Sequence, residues 1–311
     1  MSFDFDAAVI APFRMQPGLR RIAAGTPHLT PLSPGSRHQR EKLAVLSTFA
    51  HQALVQRPGF AAAPALAALS AHAAAEHPEA WAIQGGAAQA RHLGTAVEDG
   101  EVRELQAGSF GLGDEIARCL RPLAPEWRLA GLLSLAFAED FAIVDARDAT
   151  VPWMAVALPS HWAPEDKVGR HFTEVHAPVP DNAALLRAGE ALMRTAAGPE
   201  RLERFVWNVT DHPHLHAHPL RTARERWSEF SPAQAWWRTE RQTFIPMPRL
   251  GQAVFTIRVD LEPLLSAMQP AGRATRLHAA IASMSPAVLA YRGLTPVREP
   301  LLHWLAAQTR A

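Results

Sequence analysis

The sequence predicts an α+β protein built on an antiparallel sheet, with helices packed on one side of the sheet. Three observations support this class. The segment FAIVDARDATVPWMAVALPS contains two apolar runs separated by polar residues, as in a hairpin. RFVWNVT and two alternating runs between Arg238 and Asp260 are also strand-like, and a helix-like segment, DNAALLRAGEALMRTA, precedes them. Strands that recur around an inserted helix favour an antiparallel sheet.

The N-terminal third is expected to be an arm followed by helices. Residues 1–36 mix proline, glycine and short apolar pieces, which predicts an extended arm laid over a core. A helical pattern runs from Arg37 to Leu54, and the alanine-rich stretch after it is read as a helix interrupted at Pro64 and ending near Pro78. We expect His72 and His77 to be exposed helix residues rather than ligands.

Further helical patterns follow the arm and the strands. Residues 113–138 hold helical and loop material, and residues 181–196 present an apolar helix face. That face is formed by Leu185, Leu186, Ala188, Leu192 and Met193. The tail from about Leu264 to Leu305 is expected to form two or three helices.

Composition excludes several functional classes. The chain has 311 residues, enough for one large domain or two smaller ones. Its net charge is +1, from 31 basic and 30 acidic residues, so no nucleic-acid partner is expected. The single cysteine, Cys119, excludes an internal disulfide framework and cysteine-rich iron–sulfur or zinc sites. No apolar stretch is long enough to cross a bilayer, and we expect a cytoplasmic protein without membrane association.

The hairpin between Arg238 and Asp260 carries the first candidate site. Its second run places Phe255, Ile257, Val259 and Leu261 on one face, the period of a strand with one buried side. Its first run contains three consecutive polar residues, of which Arg241 lies on one face and Glu240 and Gln242 on the other. Polar side chains fixed on a rigid sheet suit a site. An ion pair within the hairpin, without function, is the alternative.

Histidines supply the second set of candidates. Alternate residues His212, His214, His216 and His218 would all point the same way in an extended segment, and alternate imidazoles can chelate a divalent metal. A polar loop is the alternative, because no carboxylate or cysteine completes the coordination. His161 and His171 are weaker candidates, because no local sequence feature fixes the position of their side chains.

His176 is the strongest single histidine. It precedes Ala-Pro-Val-Pro, and residues before proline favour extended geometry, so the backbone beyond it is expected to be stiff. The upstream piece with Lys167 and Gly169 is read as a helical turn that breaks just before the histidine. A stiff backbone beside one imidazole suits an axial ligand, and a purely structural histidine is the alternative.

Six segments, in order and spacing, resemble the haem-dependent oxidative N-demethylase family. They are AEDFAIVD, LPSHWAPEDKVGRHFTEVHAPVP, RTERQTFIPMP, AVFTIRVDLEPL, YRGL and LLHWL. The resemblance covers roughly residues 125 to 305, and PFRMQPGL near the start is similar to the N-terminal arm of that family. It divides the chain into an arm and helical region, 1–124, packed on a core, 125–311.

The resemblance implies a fold, a cofactor and an activity. The core would be a PAS-like antiparallel sheet with flanking helices that binds haem b noncovalently, with additional N- and C-terminal helices. The reaction would be a monooxygenase-type oxidation that removes a methyl group from a small secondary amine with O₂ and yields formaldehyde. Electrons would come from a separate flavin and iron–sulfur reductase, and an oligomer is compatible with the sequence.

The resemblance also implies roles for individual residues. His176 would ligate the iron, and Lys167, Arg241 and Arg258 would contact the haem, Arg241 through a propionate or bound oxygen. Glu240, Arg241 and Gln242 would be the catalytic set. Glu240 would hold Arg241 or the substrate ammonium.

The chain departs from the family pattern at three places. The family usually has an arginine at His161 and an arginine-leucine pair at Pro246-Met247, and its Asn-Trp order appears here as Trp207-Asn208-Val209. We expect these positions to lie around the pocket and to affect substrate and activity more than haem binding. Two other functions are considered: a haem-binding PAS-like sensor without turnover, and a helper subunit without cofactor.

Overall fold

In the part of the chain that the structure describes, eleven strands form two antiparallel sheets. The computed structural model describes residues 3–108, 110–223 and 226–308. The strands are β1 Arg20–Arg21, β2 Leu54–Gln56, β3 Trp81–Gln84, β4 Ala87–Ala90, β5 Thr95–Glu98, β6 Glu101–Glu104, β7 Asp140–Asp145, β8 Thr150–Ala155, β9 Leu202–Thr210, β10 Trp236–Met247 and β11 Gln252–Pro263. The large sheet has the order β1-β9-β10-β11-β7-β8-β2, and β3 to β6 form a smaller meander.

Helices surround the large sheet. They are α1 Phe5–Ala8, α2 Arg37–Thr48, α3 Ala50–Ala53, α4 Ala63–Glu76, α5 Glu115–Leu120, α6 Pro125–Ala136, α7 Phe172–His176, α8 Ala183–Arg187, α9 Gly189–Ala196, α10 Leu264–Ala267, α11 Arg273–Ala282, α12 Pro286–Arg292 and α13 Arg298–Gln308. Within the described residues, no helix is both long and apolar enough to cross a bilayer. The predicted α+β class with an antiparallel sheet is confirmed.

The predicted hairpin is the centre of the large sheet. β10 and β11 pair along twelve residues each, from Trp236 opposite Pro263 to Met247 opposite Gln252. Gly251 closes the turn at φ +62°, a left-handed conformation that glycine adopts without strain. The hairpin β7–β8 and the strand β9 also lie where the sequence predicts them.

Both faces of the large sheet are covered, so the expectation of one buried side, with helices on that side alone, is wrong. Val254 and Thr256 of β11 are 1% and 0% exposed on one face, and Ile257 and Val259 are 5% and 1% exposed on the other. The first face packs against α4 and α6, in a core that includes Leu69, Leu132 and Phe141. On the second face Met193 of α9 packs against side chains of β7 and β8.

The two parts predicted for the chain share one core. Leu46 and Trp81 from the first part belong to the same buried cluster as Trp153 and Val259 from the second. A separate cluster joins Phe5 of the arm to Trp237 and to the C-terminal helices, for example through Leu277 and Leu301.

Several element boundaries differ from the prediction. Pro64 lies in the first turn of α4 rather than interrupting it, where proline has no amide to lose from the helix ladder. Leu54 begins β2 instead of ending a helix, and the helix predicted for residues 181–196 is broken at Ala188 into α8 and α9. The predicted helical region also contains the β3–β6 meander, and the C-terminal tail has four helices.

Candidate functional site

A cavity of about 470 Å³ lies on the second face of the large sheet. Cofactor and small-molecule pockets span roughly 300–1,000 Å³, so the cavity is of the right size for such a ligand. Its apolar walls come from the sheet, from α7 to α9 and from the N-terminal arm. Among the residues that line it are Val144, Met154, Phe244 and Phe255 of the sheet, Phe172, Leu185 and Met193 of the helices, and Ile10, Phe13 and Met15 of the arm.

His176 lines this cavity from the last position of α7. Its Nδ1 lies 2.8 Å from the carbonyl oxygen of Phe172, one turn earlier, and the two rings stack with centroids 4.1 Å apart. A carbonyl oxygen only accepts, so Nδ1 carries the proton and donates it to this bond. The lone pair is therefore on Nε2. A histidine fixed in this way through one nitrogen is prepared to bind a metal through the other.

Burial keeps His176 in the neutral form. Desolvation lowers the pKa of its imidazole to about 4, although the hydrogen bond to Phe172 acts in the opposite direction. At neutral pH the ring is therefore uncharged, as a metal ligand must be.

The short helix that carries His176 is built differently from the prediction. A capping box between His171 and Glu174 starts α7, and His176 is part of the helical turn rather than beyond it. Ala177 precedes Pro178 but has helical φ and ψ of −56° and −38°, so the expected extended geometry is wrong. The hydrogen bond from the Asn182 side chain to the carbonyl of His176 holds this end of the helix.

The three predicted catalytic residues of β10 divide between the two faces of the sheet. Glu240 and Gln242 line the cavity, and Gln242 Nε2 donates to Glu240 Oε2 at 2.6 Å. Arg241 points to the opposite face, where its Nε is 2.9 Å from Glu203 Oε2 and its Nη1 donates to the carbonyl of Pro27 at 3.0 Å. The alternation of a strand makes this separation unavoidable.

The other two predicted cofactor contacts are also divided. Arg258 pairs with Asp260 and donates to Thr30, and it is not among the residues that line the cavity. Lys167 does line the cavity: its Nζ donates to the carbonyl of Val175 at 3.3 Å and lies 5.7 Å from the ring centroid of Trp162. Burial lowers the pKa of the Lys167 ammonium. The structure thus places Lys167 near His176, and Arg241 and Arg258 away from it.

Two arginines that sequence reasoning did not select lie on the cavity face. Arg238 is 2% exposed and donates to four oxygens, those of Ser160 Oγ and the carbonyls of His214, Pro159 and Leu215. Arg204 on β9 lies opposite Gln242, and burial lowers the pKa of its guanidinium. Once Glu240 and Gln242 are assigned to the cavity, the alternation of residues along each strand places both arginines on the cavity face.

Of the three departures from the family pattern, two lie at the cavity. His161, Trp207 and Asn208 line it, whereas Pro246 and Met247 are not among the lining residues. His161 has φ +62°, and its ring nitrogen Nε2 is buried without a hydrogen-bond partner among the described residues. Its ring centroid lies 5.2 Å from that of His212, and burial lowers the pKa of both imidazoles.

The alternate histidines form two stacked pairs. His212 stacks on His214 with centroids 5.7 Å apart, and His216 stacks on His218 at 6.0 Å. His218 Nε2 is 3.1 Å from Glu165 Oε1, and His216 Nδ1 is 2.7 Å from the carbonyl of Ala157. In the described part of the chain these four rings do not converge as a group of metal ligands.

One group of potential metal ligands exists among the described residues, outside the cavity. The ligand atoms of His28, His72 and Glu76 lie within 4.8 Å of one another. Glu76 also accepts the backbone N–H groups of His28 and Leu29, and Arg201 Nη2 is 3.7 Å from its Oε1, so a side-chain cation already neutralises the carboxylate. The side chains of His72 and His77 are 27% and 13% exposed, so the expectation that both are exposed is wrong.

A protein-family model matches most of the chain. A model described as haem-dependent oxidative N-demethylase, alpha subunit-like, matches residues 42–302. The match includes the sheet face and helices α7 to α9, and so it includes His176, Glu240, Gln242 and Arg204.

Proposed function

Because the chain belongs to the haem-dependent oxidative N-demethylase, alpha subunit-like family, we propose that it binds haem b in the cavity and demethylates a small secondary amine. The observation that carries the proposal is Nε2 of the neutral His176 imidazole, which has no hydrogen-bond partner among the described residues and lies inside a cavity of cofactor size. The sheet with α7 to α9 would be the PAS-like haem-binding core, 125–311, with residues 1–124 packed on it.

The residues of the cavity fit a haem group. A porphyrin needs apolar contacts on both faces, which the walls from the sheet, α9 and the arm supply. Its two propionates need cations, and the cavity is lined by six arginines and Lys167. Buried nitrogen atoms without a hydrogen-bond partner among the described residues, such as Arg204 Nε and Arg226 Nε, are donors that propionates or a substrate would satisfy.

In the proposed reaction haem b, when bound, supplies the activation of O₂ that converts the N-methyl group to a carbinolamine, with two electrons and two protons reducing the second oxygen atom to water. The carbinolamine then releases formaldehyde and the demethylated amine. His176 would hold the iron through Nε2, and the hydrogen bond from its Nδ1 to the carbonyl of Phe172 would raise the basicity of the imidazole as a ligand. The protein's contribution is ligation, access and polarity.

Glu240 would bind the substrate nitrogen. It is the one carboxylate among the described residues that line the cavity, and it is 7% exposed. The hydrogen bond from Gln242 fixes one of its oxygens, which leaves the other to accept a proton or a hydrogen bond from the ammonium. The arm, which lines the cavity with residues between Ala7 and Arg20, would restrict the entry of water.

Electrons would reach the site from another protein. The chain has one cysteine, and a cluster with four thiolate ligands cannot form from it. We therefore propose a flavin and iron–sulfur reductase as the partner, with a small amine and O₂ as substrates.

Turnover with a supplied reductase tests the function. Haem-loaded protein, a reductase of the flavin and iron–sulfur type, NAD(P)H and N-methylated amines are mixed, and formaldehyde is measured. Glu240→Gln is expected to lower kcat/KM by roughly 10- to 100-fold, because the neutral amide loses a charge-assisted bond. Exposed Glu79 supplies the matched control, Glu79→Gln. Haem-bound protein that releases no formaldehyde from any such amine would contradict the proposal.

A further inference from the structure

The charges that line the cavity are unbalanced. Glu240 is the only carboxylate among the described lining residues, whereas six arginines contribute to the same surface. Two haem propionates would pair with two of these cations, and Arg20 is already paired with Asp4 and Glu203. Any cation that stays unpaired favours a substrate that carries an anionic group as well as an amine.

Most of these arginines already have partners. Arg20 forms ion pairs with Asp4 and Glu203, and Arg238 is held by four oxygens. Arg292 donates to the carbonyl of Trp207 and lies over the Trp207 ring. Arg226 donates to the carbonyl of Arg292.

Arg204 is different. Its Nε is buried without a hydrogen-bond partner among the described residues, and the negative charge of Glu240 acts on its guanidinium from a distance, without an ion pair between the two described side chains. Burial lowers its pKa, which means that the surroundings resist the positive charge and that an anion placed there would be stabilised.

The position of Arg204 relative to Glu240 suggests what the anion is. In the β9–β10 register Arg204 lies opposite Gln242, and Glu240 is two residues along β10 on the same face. Diagonal neighbours of this kind are roughly 7–8 Å apart on a sheet. The two opposite charges nevertheless form no ion pair, and Glu240 bonds to Gln242 instead. A guanidinium and a carboxylate therefore lie near each other on one face of the sheet, and each can bind a group of the ligand.

We propose that Arg204 binds a carboxylate of the substrate, and that the substrate class is N-methylated α-amino acids, with the ammonium at Glu240. This inference rests on the proposed function and narrows its substrate. In such a zwitterion the ammonium and the carboxylate are separated by one carbon, so both groups can reach neighbouring side chains of opposite charge. The planar fork of arginine matches a carboxylate in geometry as well as in charge.

Binding of an isosteric pair tests the proposal. N-methylglycine and N-methylglycinamide have the same size, but only the first carries a carboxylate. We expect calorimetry on the protein as purified to show binding of N-methylglycine at least about tenfold tighter than binding of the amide, since a charge-assisted hydrogen bond to a half-buried arginine is of that size. The Arg204→Gln variant should bind the acid and the amide about equally. Arg40→Gln, a change at an exposed arginine of α2 that does not line the cavity, should leave the preference for the acid intact.

Two results would overturn the inference. One is equal or tighter binding of the amide, or of dimethylamine, by the unaltered protein. The other is an Arg204→Gln variant that keeps the preference for the acid but loses haem, which would assign Arg204 to a haem propionate. The haem content, read from the Soret band, is measured separately. Protein that takes up no haem would contradict the proposed function, while the calorimetric preference would still decide the role of Arg204.

Discussion

Neighbouring side chains of β10 lie on opposite faces of the sheet. At the scale of single residues, we therefore expect some of them to affect stability and others to affect ligand binding. Glu240 and Gln242 face the cavity, whereas Arg241 forms a buried ion pair with Glu203 beneath the sheet, where both side chains are less than a tenth exposed. The three consecutive polar residues thus have two roles. Sequence alternation predicts the two faces, but it does not show which face has the cavity, because both faces are buried by segments distant in sequence.

Arg241 is expected to contribute to stability and not to haem binding. Replacement of Arg241 by Met removes the partner of one Glu203 oxygen and the bond to the carbonyl of Pro27. We predict a loss of roughly 1–3 kcal/mol in the free energy of unfolding, because a buried acceptor is left without its donor. Urea unfolding measures the loss. An unchanged stability with a weakened Soret band would show instead that Arg241 contacts the cofactor.

The site could be predicted from sequence only in part for a related reason. His176 was identifiable, because few other histidines have a distinctive local context. The hydrogen bond from His176 to Phe172 could not be predicted from sequence, because it forms only when the histidine is the last residue of a helix. Arg204 is brought to Gln242 by strand pairing across 37 residues of intervening chain, which local patterns do not specify.

At the scale of elements, the position of His176 depends on how α7 packs against α9. Gly189, the first residue of α9, lies against the Phe172 ring, and a Cβ at this position would be 2.7 Å from Phe172 Cδ1. The same ring stacks on His176. Contact between the two helices therefore fixes the ring that stacks on His176.

Replacement of Gly189 by Ala should shift His176, the proposed ligand, without removing it. The added methyl displaces the Phe172 ring, and overpacking of this kind costs about 1–3 kcal/mol. We expect faster loss of haem to apomyoglobin, by several-fold, and a lower unfolding midpoint. The control is Ala191→Leu, which enlarges an exposed position of the same helix. Equal haem loss in the unaltered protein and in Gly189→Ala would contradict the role of this contact.

The strands of the large sheet were the elements best predicted from sequence. The β7–β8 hairpin has two apolar runs separated by polar residues, and the β10–β11 hairpin has alternating residues around a short turn; both are local signals. The β3–β6 meander was missed, because WAIQ and AAQA are short and alanine-rich, and alanine does not favour strands. The arm was predicted as extended, but its place over the cavity is set by tertiary packing of Phe5 and Phe13 on tryptophans.

At the scale of the whole molecule, an ion pair between Lys42 and Asp140 joins the two predicted parts. Nζ and Oδ1 are 3.1 Å apart, and both side chains are 0% exposed. Lys42 also donates to the carbonyls of Phe137 and Glu139, so it ties α2 to the start of β7. The ion pair lies where both predicted parts of the chain contribute to one core. We therefore expect the two parts to unfold together.

Replacement of Lys42 by Ala should destabilise the whole chain. It leaves the Asp140 carboxylate buried without its cation, which costs roughly 3–5 kcal/mol. Urea unfolding followed by tryptophan fluorescence and by circular dichroism should show one transition, at a lower urea concentration than in the unaltered protein. The double variant Lys42→Met, Asp140→Asn should recover part of the loss. Two separate transitions in the unaltered protein would contradict the shared core.

The absorption spectrum of the His176→Ala variant tests the central claim most directly. Protein reconstituted with haem b is predicted to show a Soret band of a histidine-ligated iron, and the variant should lose this band or shift it strongly, with partial recovery on addition of imidazole. His303→Ala, at an exposed position of α13, serves as the control and should leave the spectrum unchanged. A His176→Ala variant with the spectrum of the unaltered protein would contradict the account.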